Sequence, residues 1–285
     1  DVFVNAGPAR PFRAPGHPQG AWALEQMMDA LAHAIEMDPV ELRLRNIPTV
    51  SQARGGTPYT TTGLEACLRE GADAFGWAEA RPRSGSDGHL KRGVGMAACL
   101  WVAGGGGPPS TVIVKLFSDG SANLNMGASD IGTGTKTVMA MVVAEVLGVP
   151  LDQIVVENAD TGTTQYATPS GGSKTVPTES PAVRHAAEAV AGQLREMAAE
   201  QLGMEATDIE LEDGTLRSRS DGSKSVAVTD LEGLNRRGLV TGIGYRGPNP
   251  ENKVVNPFAA QFCEVEVNTR TGEVKLLRFL GAHEY

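Results

Sequence analysis

Apolar positions near the start of the chain repeat with the period of a helix. Within residues 18–37 they fall at Ala21, Leu24, Met27, Met28, Leu31, Ala34 and Ile35, a spacing that puts them on one helical face. The sequence Asp38-Pro39-Val40-Glu41 then combines a capping aspartate with a proline suited to the first helical position, which predicts a second short helix through residue 46. A Gly/Thr-rich loop over 51–63 precedes another predicted helix at 64–75.

The pattern changes to strands after a polar segment at residues 80–91, where we place a domain boundary. Strands are predicted over 93–103, 111–117 and 122–126, and the turn sequence Ser118-Asp119-Gly120-Ser121 joins the last two as a hairpin. Residues 135–147 are apolar on most sides and stop at Gly148, so they predict a buried helix.

The second half continues with a strand at 154–156, a polar loop at 161–178 and an amphipathic helix at 181–202. A loop of that length is usually functional or disordered. A short helix at 228–236 and a closing hairpin of strands 263–267 and 274–280 follow. The order of elements predicts an α+β fold with layered mixed sheets and packed helices.

Composition excludes several classes of function. The chain has 285 residues, 41% of them hydrophobic, enough for one large domain or two ordinary ones. A net charge of -9 without a basic run argues against nucleic-acid partners, and no stretch approaches the roughly 20 apolar residues of a membrane span. Cys67, Cys99 and Cys263 lack paired spacing, which excludes a disulfide framework and a self-contained zinc or iron–sulfur site. The histidines show no metal-ligand spacing and are expected on the surface or packed.

The two ends of the sequence suggest a fragment. The chain starts at Asp1 with neither an initiator methionine nor a secretion signal, so localisation stays open between cytoplasm and periplasm. It stops at Tyr285 directly after a predicted strand, with no capping element.

Two glycine-rich loops in the middle of the chain could carry chemistry. The first loop, residues 127–135, enters the predicted buried helix, where backbone N–H groups favour an anionic ligand. It matches neither the Walker pattern nor the dinucleotide pattern, and a plain turn is the alternative. The second loop, residues 169–175 (PSGGSKT), offers N–H groups, hydroxyls and Lys174 to a polar anion; a flexible linker is its alternative.

A third segment, residues 12–19 (FRAPGHPQ), lies just before the first helix. Arg13 in this Pro/Gly-stiffened loop could contact a cofactor or substrate, or it could simply pack on the helix end.

Taken in order, PFRAPGHPQG, DPVELRLRN, GASDIGTGTKT, ADTGTTQYATPSGGSKT and EVEVNTRTGEV resemble the molybdopterin-binding subunit of xanthine dehydrogenase and aldehyde oxidase type hydroxylases. The resemblance covers nearly the whole chain. The sequences of residues 101–108 and SGGSKTVPTESPAV look closest to bacterial three-subunit aldehyde oxidoreductases. The resemblance implies a truncated molybdenum-cofactor-binding fold, with residues 1–79 ending a first, helical molybdopterin-binding domain and residues 80–285 forming part of a second.

The resemblance also implies a pyranopterin cofactor with molybdenum, usually as the cytosine dinucleotide in bacteria. The cofactor-binding positions carried over are Phe12, Arg13, Gly132, Thr133, Gly134, Ser170, Gly171, Gly172, Ser173 and Lys174. Thr133 stands where glutamine is more common, and Lys174 replaces a common arginine, keeping the charge but losing its bidentate fork. Ala14-Pro15 departs from a frequent Gly-Phe, so substrate stacking on that phenylalanine is not transferred.

The implied reaction oxidises an aldehyde or N-heterocycle with oxygen derived from water, and electrons leave through iron–sulfur and FAD-containing partner subunits. A general-base glutamate is expected beyond Tyr285 and a glutamine-bearing loop upstream of Asp1, so no catalytic residue is assigned and the fragment alone should have little or no activity. Glu264 and Glu266 alternate with valines and are expected to be ordinary strand residues. A non-catalytic binding or assembly module remains the alternative; a nucleotide-binding enzyme outside the family fits less well, because the phosphate-loop patterns fail.

Overall fold

The computed structural model describes residues 5–7, 12–81, 88–101 and 109–284. The chain divides into two compact units. Unit 1 comprises Asp1–Val102 and Pro250–Tyr285, and unit 2 comprises Ala103–Asn249. This division follows spatial contacts, so the family-type boundary expected between residues 79 and 80 stays a prediction.

The described chain contains both helices and strands. The helices are α1 His17–Ala34, α2 Pro39–Leu44, α3 Leu64–Phe75, α4 Trp77–Ala80, α5 Thr135–Leu147, α6 Thr175–Leu202 and α7 Glu232–Arg237. The strands are β1 Val50–Ser51, β2 Thr57–Pro58, β3 Leu90–Leu100, β4 Thr111–Phe117, β5 Ala122–Met126, β6 Ile154–Asn158, β7 Ile209–Glu212, β8 Thr215–Ser218, β9 Ser225–Ala227, β10 Leu239–Tyr245, β11 Phe258–Asn268 and β12 Val274–His283. This mixture confirms the predicted α+β class.

Unit 1 is built on an antiparallel sheet in the order β12-β11-β3. Helix α3 packs on β11, where the rings of Phe75 and Phe262 stack with centroids 5.8 Å apart. Leu68 and Phe258 complete this apolar core. In β11, as predicted for a strand, Glu264 pairs with Arg278 at 2.7 Å and Glu266 pairs with Arg92 at 2.9 Å.

A buried charge cluster joins α1 to the rest of unit 1. The guanidinium of Arg43, with its side chain 4% exposed, contacts Glu25 at 2.8 Å and Asp29 at 2.9 Å. The same Glu25 carboxylate accepts the backbone N–H of Ala98 at 2.7 Å. Since β3 is an edge strand of its sheet, this bond satisfies a donor that the edge would otherwise leave unpaired.

Unit 2 is built on a sheet in the order β10-β4-β5-β6, with β5 and β6 parallel and the other pairs antiparallel. Helices α5 and α6 pack together, and α6 lies directly against β10 and β4. Two strand glycines allow the close approach, since a Cβ added to Gly242 or Gly244 would lie about 2 Å from the carbonyl oxygen of Ala186 or Ala182. A small antiparallel sheet, β7-β8-β9, completes the unit.

Two predicted helices of unit 2 differ from their expected form. Helix α5 has the predicted bounds but buries mainly one face, and Met141 is 55% exposed. Helix α6 begins at Thr175, six residues before the predicted start, so Pro181 lies inside it. The prediction began this helix at Pro181 from its apolar repeat, whereas a proline inside a helix usually breaks the hydrogen-bond pattern. It was therefore wrong about where the 161–178 loop ends.

Candidate functional site

The sheet of unit 2 brings the two glycine-rich loops to the same edge. The first loop follows β5 and the second loop belongs to the segment after β6. Because β5 and β6 are parallel neighbours, their carboxyl ends lie side by side. Crevices at the carboxyl ends of parallel strands are where α/β proteins commonly bind ligands.

Direct contacts join the two loops. The Ser170 hydroxyl donates to the backbone carbonyl of Ser129 at 2.7 Å, and the two hydroxyl oxygens lie 3.3 Å apart. Gly127 lets the backbones approach, because an added Cβ would lie 1.9 Å from the carbonyl oxygen of Gln165. Asn158 adds a bond from its amide to the carbonyl of Ala128 at 3.1 Å. The loops therefore form one structural assembly.

Asp130 caps the start of α5 from within the first loop. Its carboxylate accepts the backbone N–H groups of Gly132 at 2.8 Å, Thr133 at 3.1 Å and Lys136 at 3.1 Å. These bonds lower the pKa of the Asp130 carboxyl, and the N–H of Lys136 has the largest effect on it. The expectation that this helix start offers free N–H groups to an anion is thus wrong for Gly132 and Thr133; their placement against a cofactor stays a prediction.

The second loop, in contrast, presents unused donors. Within the described part of the chain, the N–H groups of Gly171, Gly172 and Ser173 make no hydrogen bond. Open space surrounds the α-carbons of both glycines, and Gly172 and Ser173 take positive φ values of 68° and 52°. Lys174 follows at the N-cap of α6. Positive charge, hydroxyls and free N–H groups at a helix start suit a ligand rich in anionic oxygens.

A buried acid lies in the second turn of α6, close behind this loop. The Ser110 hydroxyl donates to Glu179 at 2.5 Å, and both residues are 2% exposed. Burial raises the pKa of the Glu179 carboxyl, and the Ser110 bond opposes that rise. Nothing in the sequence marked Glu179, because its helix was expected to begin after it.

Phe12 and Arg13 belong to unit 1, where Phe12 is 90% exposed. His17, at the start of α1, has its ring 4.9 Å from that of Trp101 in an edge contact. The structure thus joins the two loops that carry the candidates of unit 2, through Ser129 and Ser170, and leaves the roles of Phe12 and Arg13 as predictions. Residues 102–108, part of the segment that resembled bacterial aldehyde oxidoreductases, lie outside the described residues.

Sequence reasoning missed the residues that hold the two loops together. Gly127, Ser129 and Asp130 act through contacts within the assembly. Only Asp130 had a local signal, since an aspartate two residues before a glycine can bond the backbone ahead of it. The donors of the second loop fit the polar, anionic part of a pyranopterin cofactor in their chemistry.

Comparison with known families places most of the chain in one class of domain. Residues 70–285 match a molybdopterin cofactor-binding domain, and residues 1–47 match a second domain of the same description. Among the helices that the structure describes, none is long and apolar enough to span a lipid bilayer.

Curated relatives match along almost the entire chain. The molybdenum-binding subunit PaoC of an aldehyde oxidoreductase from Escherichia coli K12 is 33% identical over 272 residues, which are 95% of this chain and 36% of PaoC. The putative xanthine dehydrogenase molybdenum-binding subunit XdhA from the same organism is 33% identical over 298 residues, covering 99% of this chain and 39% of XdhA. The chain therefore spans little more than a third of the length of these relatives.

Solved structures share the fold. The reconstituted CO dehydrogenase from Oligotropha carboxidovorans has a TM-score of 0.75 at 22% identity, covering 92% of this chain and 36% of that chain. Quinoline 2-oxidoreductase from Pseudomonas putida 86 has a TM-score of 0.72 at 20% identity, with the same coverage. The chain belongs to the molybdopterin cofactor-binding domains of the xanthine dehydrogenase and aldehyde oxidase family.

Proposed function

We propose that this chain is part of a molybdenum hydroxylase subunit and that the two joined loops of unit 2 contact its pyranopterin cofactor. The observation that carries the proposal is the set of unused donors in the second loop, held by Ser170 against the first loop. Anionic oxygens at a helix start gain from both the free N–H groups and the helix dipole.

Each part of the assembly has its own task in this proposal. Gly171, Gly172 and Ser173 donate N–H groups to the cofactor's oxygens, and the ammonium of Lys174 offsets their charge. Asp130 keeps Gly132 and Thr133 in a defined turn by accepting their N–H groups. Gly134, with φ of 77° and open space around its α-carbon, permits a close approach of the cofactor to the backbone.

The bound cofactor would supply the redox chemistry for oxidising an aldehyde or N-heterocycle with water-derived oxygen. We expect its cytosine dinucleotide form, and we expect electrons to pass to partner subunits with iron–sulfur clusters and FAD. Two relatives are named as molybdenum-binding subunits of an aldehyde oxidoreductase and of a putative xanthine dehydrogenase, which supports this class of reaction.

Variants of Lys174 test the proposal. In protein purified from a host that makes the cofactor, Lys174→Met should lower the retained molybdenum and pterin severalfold, because a charge-assisted contact is lost. Lys174→Arg should retain both, since the positive charge remains. The control is Lys224→Met, an exposed residue of unit 2 in the turn before β9, which should match the wild type. Equal retention in Lys174→Met and wild type would contradict the proposed contact.

A further inference from the structure

Pro181 leaves a gap in the hydrogen bonds of α6. A proline has no N–H group, so the carbonyl four residues earlier loses its helical donor. In α6 that carbonyl belongs to Pro177, within the first turn of the helix. Pro177 itself causes no such loss, since the first N–H groups of a helix have no intrahelical acceptor. The first turn is therefore attached to the rest of α6 by one bond fewer than usual.

The side chain of Arg246 fills this gap. Its Nε donates to the Pro177 carbonyl at 3.1 Å, and its Nη1 donates to the carbonyl of Gly247 at 3.1 Å. Its Nη2 donates to Asn249 Oδ1. These acceptors are neutral oxygens, and desolvation lowers the pKa of the Arg246 guanidinium. Partial burial of this charge costs solvation free energy. Its bonds to neutral oxygens therefore serve to fix the geometry of the backbone around it.

Arg246 is itself held in place by the sheet. It follows β10 directly, and its own N–H donates to the Ser110 carbonyl at 3.0 Å. Strand β10 lies against α6 through the close contacts of Gly242 and Gly244. The guanidinium thus extends from the end of β10 to the first turn of α6. There it bonds the Pro177 carbonyl, which receives no N–H from Pro181.

We infer that Arg246 is a positioning residue that replaces the donor missing at Pro181 and so holds the first turn of α6, with the preceding Gly171–Lys174 segment, in the geometry that binds the cofactor. This inference rests on the proposed function for its consequence in binding. Its structural part depends only on contacts within unit 2. Lys174 directly precedes this first turn. If the helix frayed as far as Pro181, the N–H donors of the second loop would lose their common orientation.

The test pairs Arg246→Met with Pro181→Ala, singly and together, in the whole protein. Amide hydrogen exchange is measured over residues 175–186, along with retained molybdenum and pterin. Arg246→Met should speed exchange at residues 178–180 about tenfold, as expected when a charged donor is lost, and should lower cofactor retention. Pro181→Ala restores the backbone N–H, so adding Arg246→Met in that background should change exchange less than about twofold and leave retention high. Arg236→Met, an exposed residue of α7, is the control.

The outcomes separate the inference from the proposed function. The inference would be overturned if Arg246→Met left the amide exchange rates at residues 178–180 unchanged. It would also be overturned if Arg246→Met raised these rates equally with and without Pro181→Ala. Faster exchange with undiminished cofactor retention would overturn its positioning role. A wild-type protein without cofactor would instead contradict the proposed function, and the exchange measurements on that same protein would still decide whether Arg246 replaces the missing donor.

Discussion

At the residue scale, single polar side chains set the geometry of both the site and its support. Ser170 closes the contact between the two loops, and Asp130 caps the first. In unit 1, Asp38 caps α2 through the N–H groups of Val40 and Glu41, as its sequence predicted. The structure adds that the same carboxylate accepts from Trp77 at 3.0 Å and from Arg81 at 2.5 Å, contacts that only the folded chain creates.

The bond between the loops gives a prediction for Ser170→Ala. Removing this hydroxyl should lower cofactor affinity about fivefold, the usual cost of one hydrogen bond, because the second loop loses its anchor. Ser225→Ala, at an exposed serine of β9, is the control, since it removes a hydroxyl outside both loops. Retained cofactor after dialysis measures both, and equal losses in the two variants would contradict the role of Ser170.

The environment of Asp38 predicts how unit 1 responds to acid. Burial raises the pKa of this carboxyl, but the bonds from Trp77, Arg81 and two backbone N–H groups outweigh it, and the pKa lies below the ordinary 3.8. A lowered native pKa contributes stability that is present above the unfolded value and lost as pH falls through the native one. Asp38→Asn should therefore destabilise unit 1 at neutral pH and weaken the loss of stability below about pH 4.

Urea unfolding across pH 2.5–7, followed by tryptophan fluorescence, checks this expectation, since Trp22, Trp77 and Trp101 all belong to unit 1. Asp73→Asn, at an exposed position in α3, should leave both the stability and its pH dependence near those of the wild type. If Asp38→Asn kept the full acid dependence of the wild type, the stabilising bonds to Asp38 would not be its source.

At the element scale, helices in both units are held by contacts that hydrophobic periodicity does not reveal. Helix α1 shows the predicted apolar repeat, yet Trp22, Leu24 and Met27 are exposed, and a buried charge cluster fixes it to α2 and β3. Helix α6 depends on glycines in β10 for its close approach. Both features join residues far apart in sequence, which is why local patterns could not predict them.

The charge cluster makes Arg43 the residue on which the placement of α1 depends. Arg43→Met should destabilise unit 1 by about 3–5 kcal/mol, because Glu25 loses its buried partner. Arg45→Met removes an exposed partner of Glu41 on the same helix and should cost less than about 1 kcal/mol. Urea denaturation measures the difference; equal effects would contradict the structural importance of the cluster.

The contact between α6 and β10 predicts opposite effects for two glycines of unit 2. Gly244→Ala should cost about 1–3 kcal/mol or more, since its Cβ would meet the helix backbone. Gly192→Ala within α6 has open space and should stabilise by about 0.5–1 kcal/mol through helix propensity. Thermal unfolding distinguishes them, and a neutral Gly244→Ala would show that the strand and helix can separate without cost.

At the scale of the whole molecule, the sequence predicted the element order better than the supporting contacts. The bounds of β4, β5 and α5 agree with the hydrophobic pattern, because their ends carry turn glycines. The start of α6 was missed because the Arg246 bond to Pro177 makes an interior proline tolerable. The family resemblance supplied the cofactor positions, whereas Gly127 and Ser129, which join the loops, became apparent only from the fold.

The most direct test of the central claim is the molybdenum and nucleotide content of the wild-type protein, purified from a host that makes the cofactor. Metal analysis and acid release of the nucleotide are made on the same sample. We predict about one molybdenum and one cytidine nucleotide per binding subunit, with a lower content of both in Ser170→Ala than in Ser225→Ala. A protein that carries neither metal nor nucleotide would contradict the account and favour a non-catalytic module that keeps the fold.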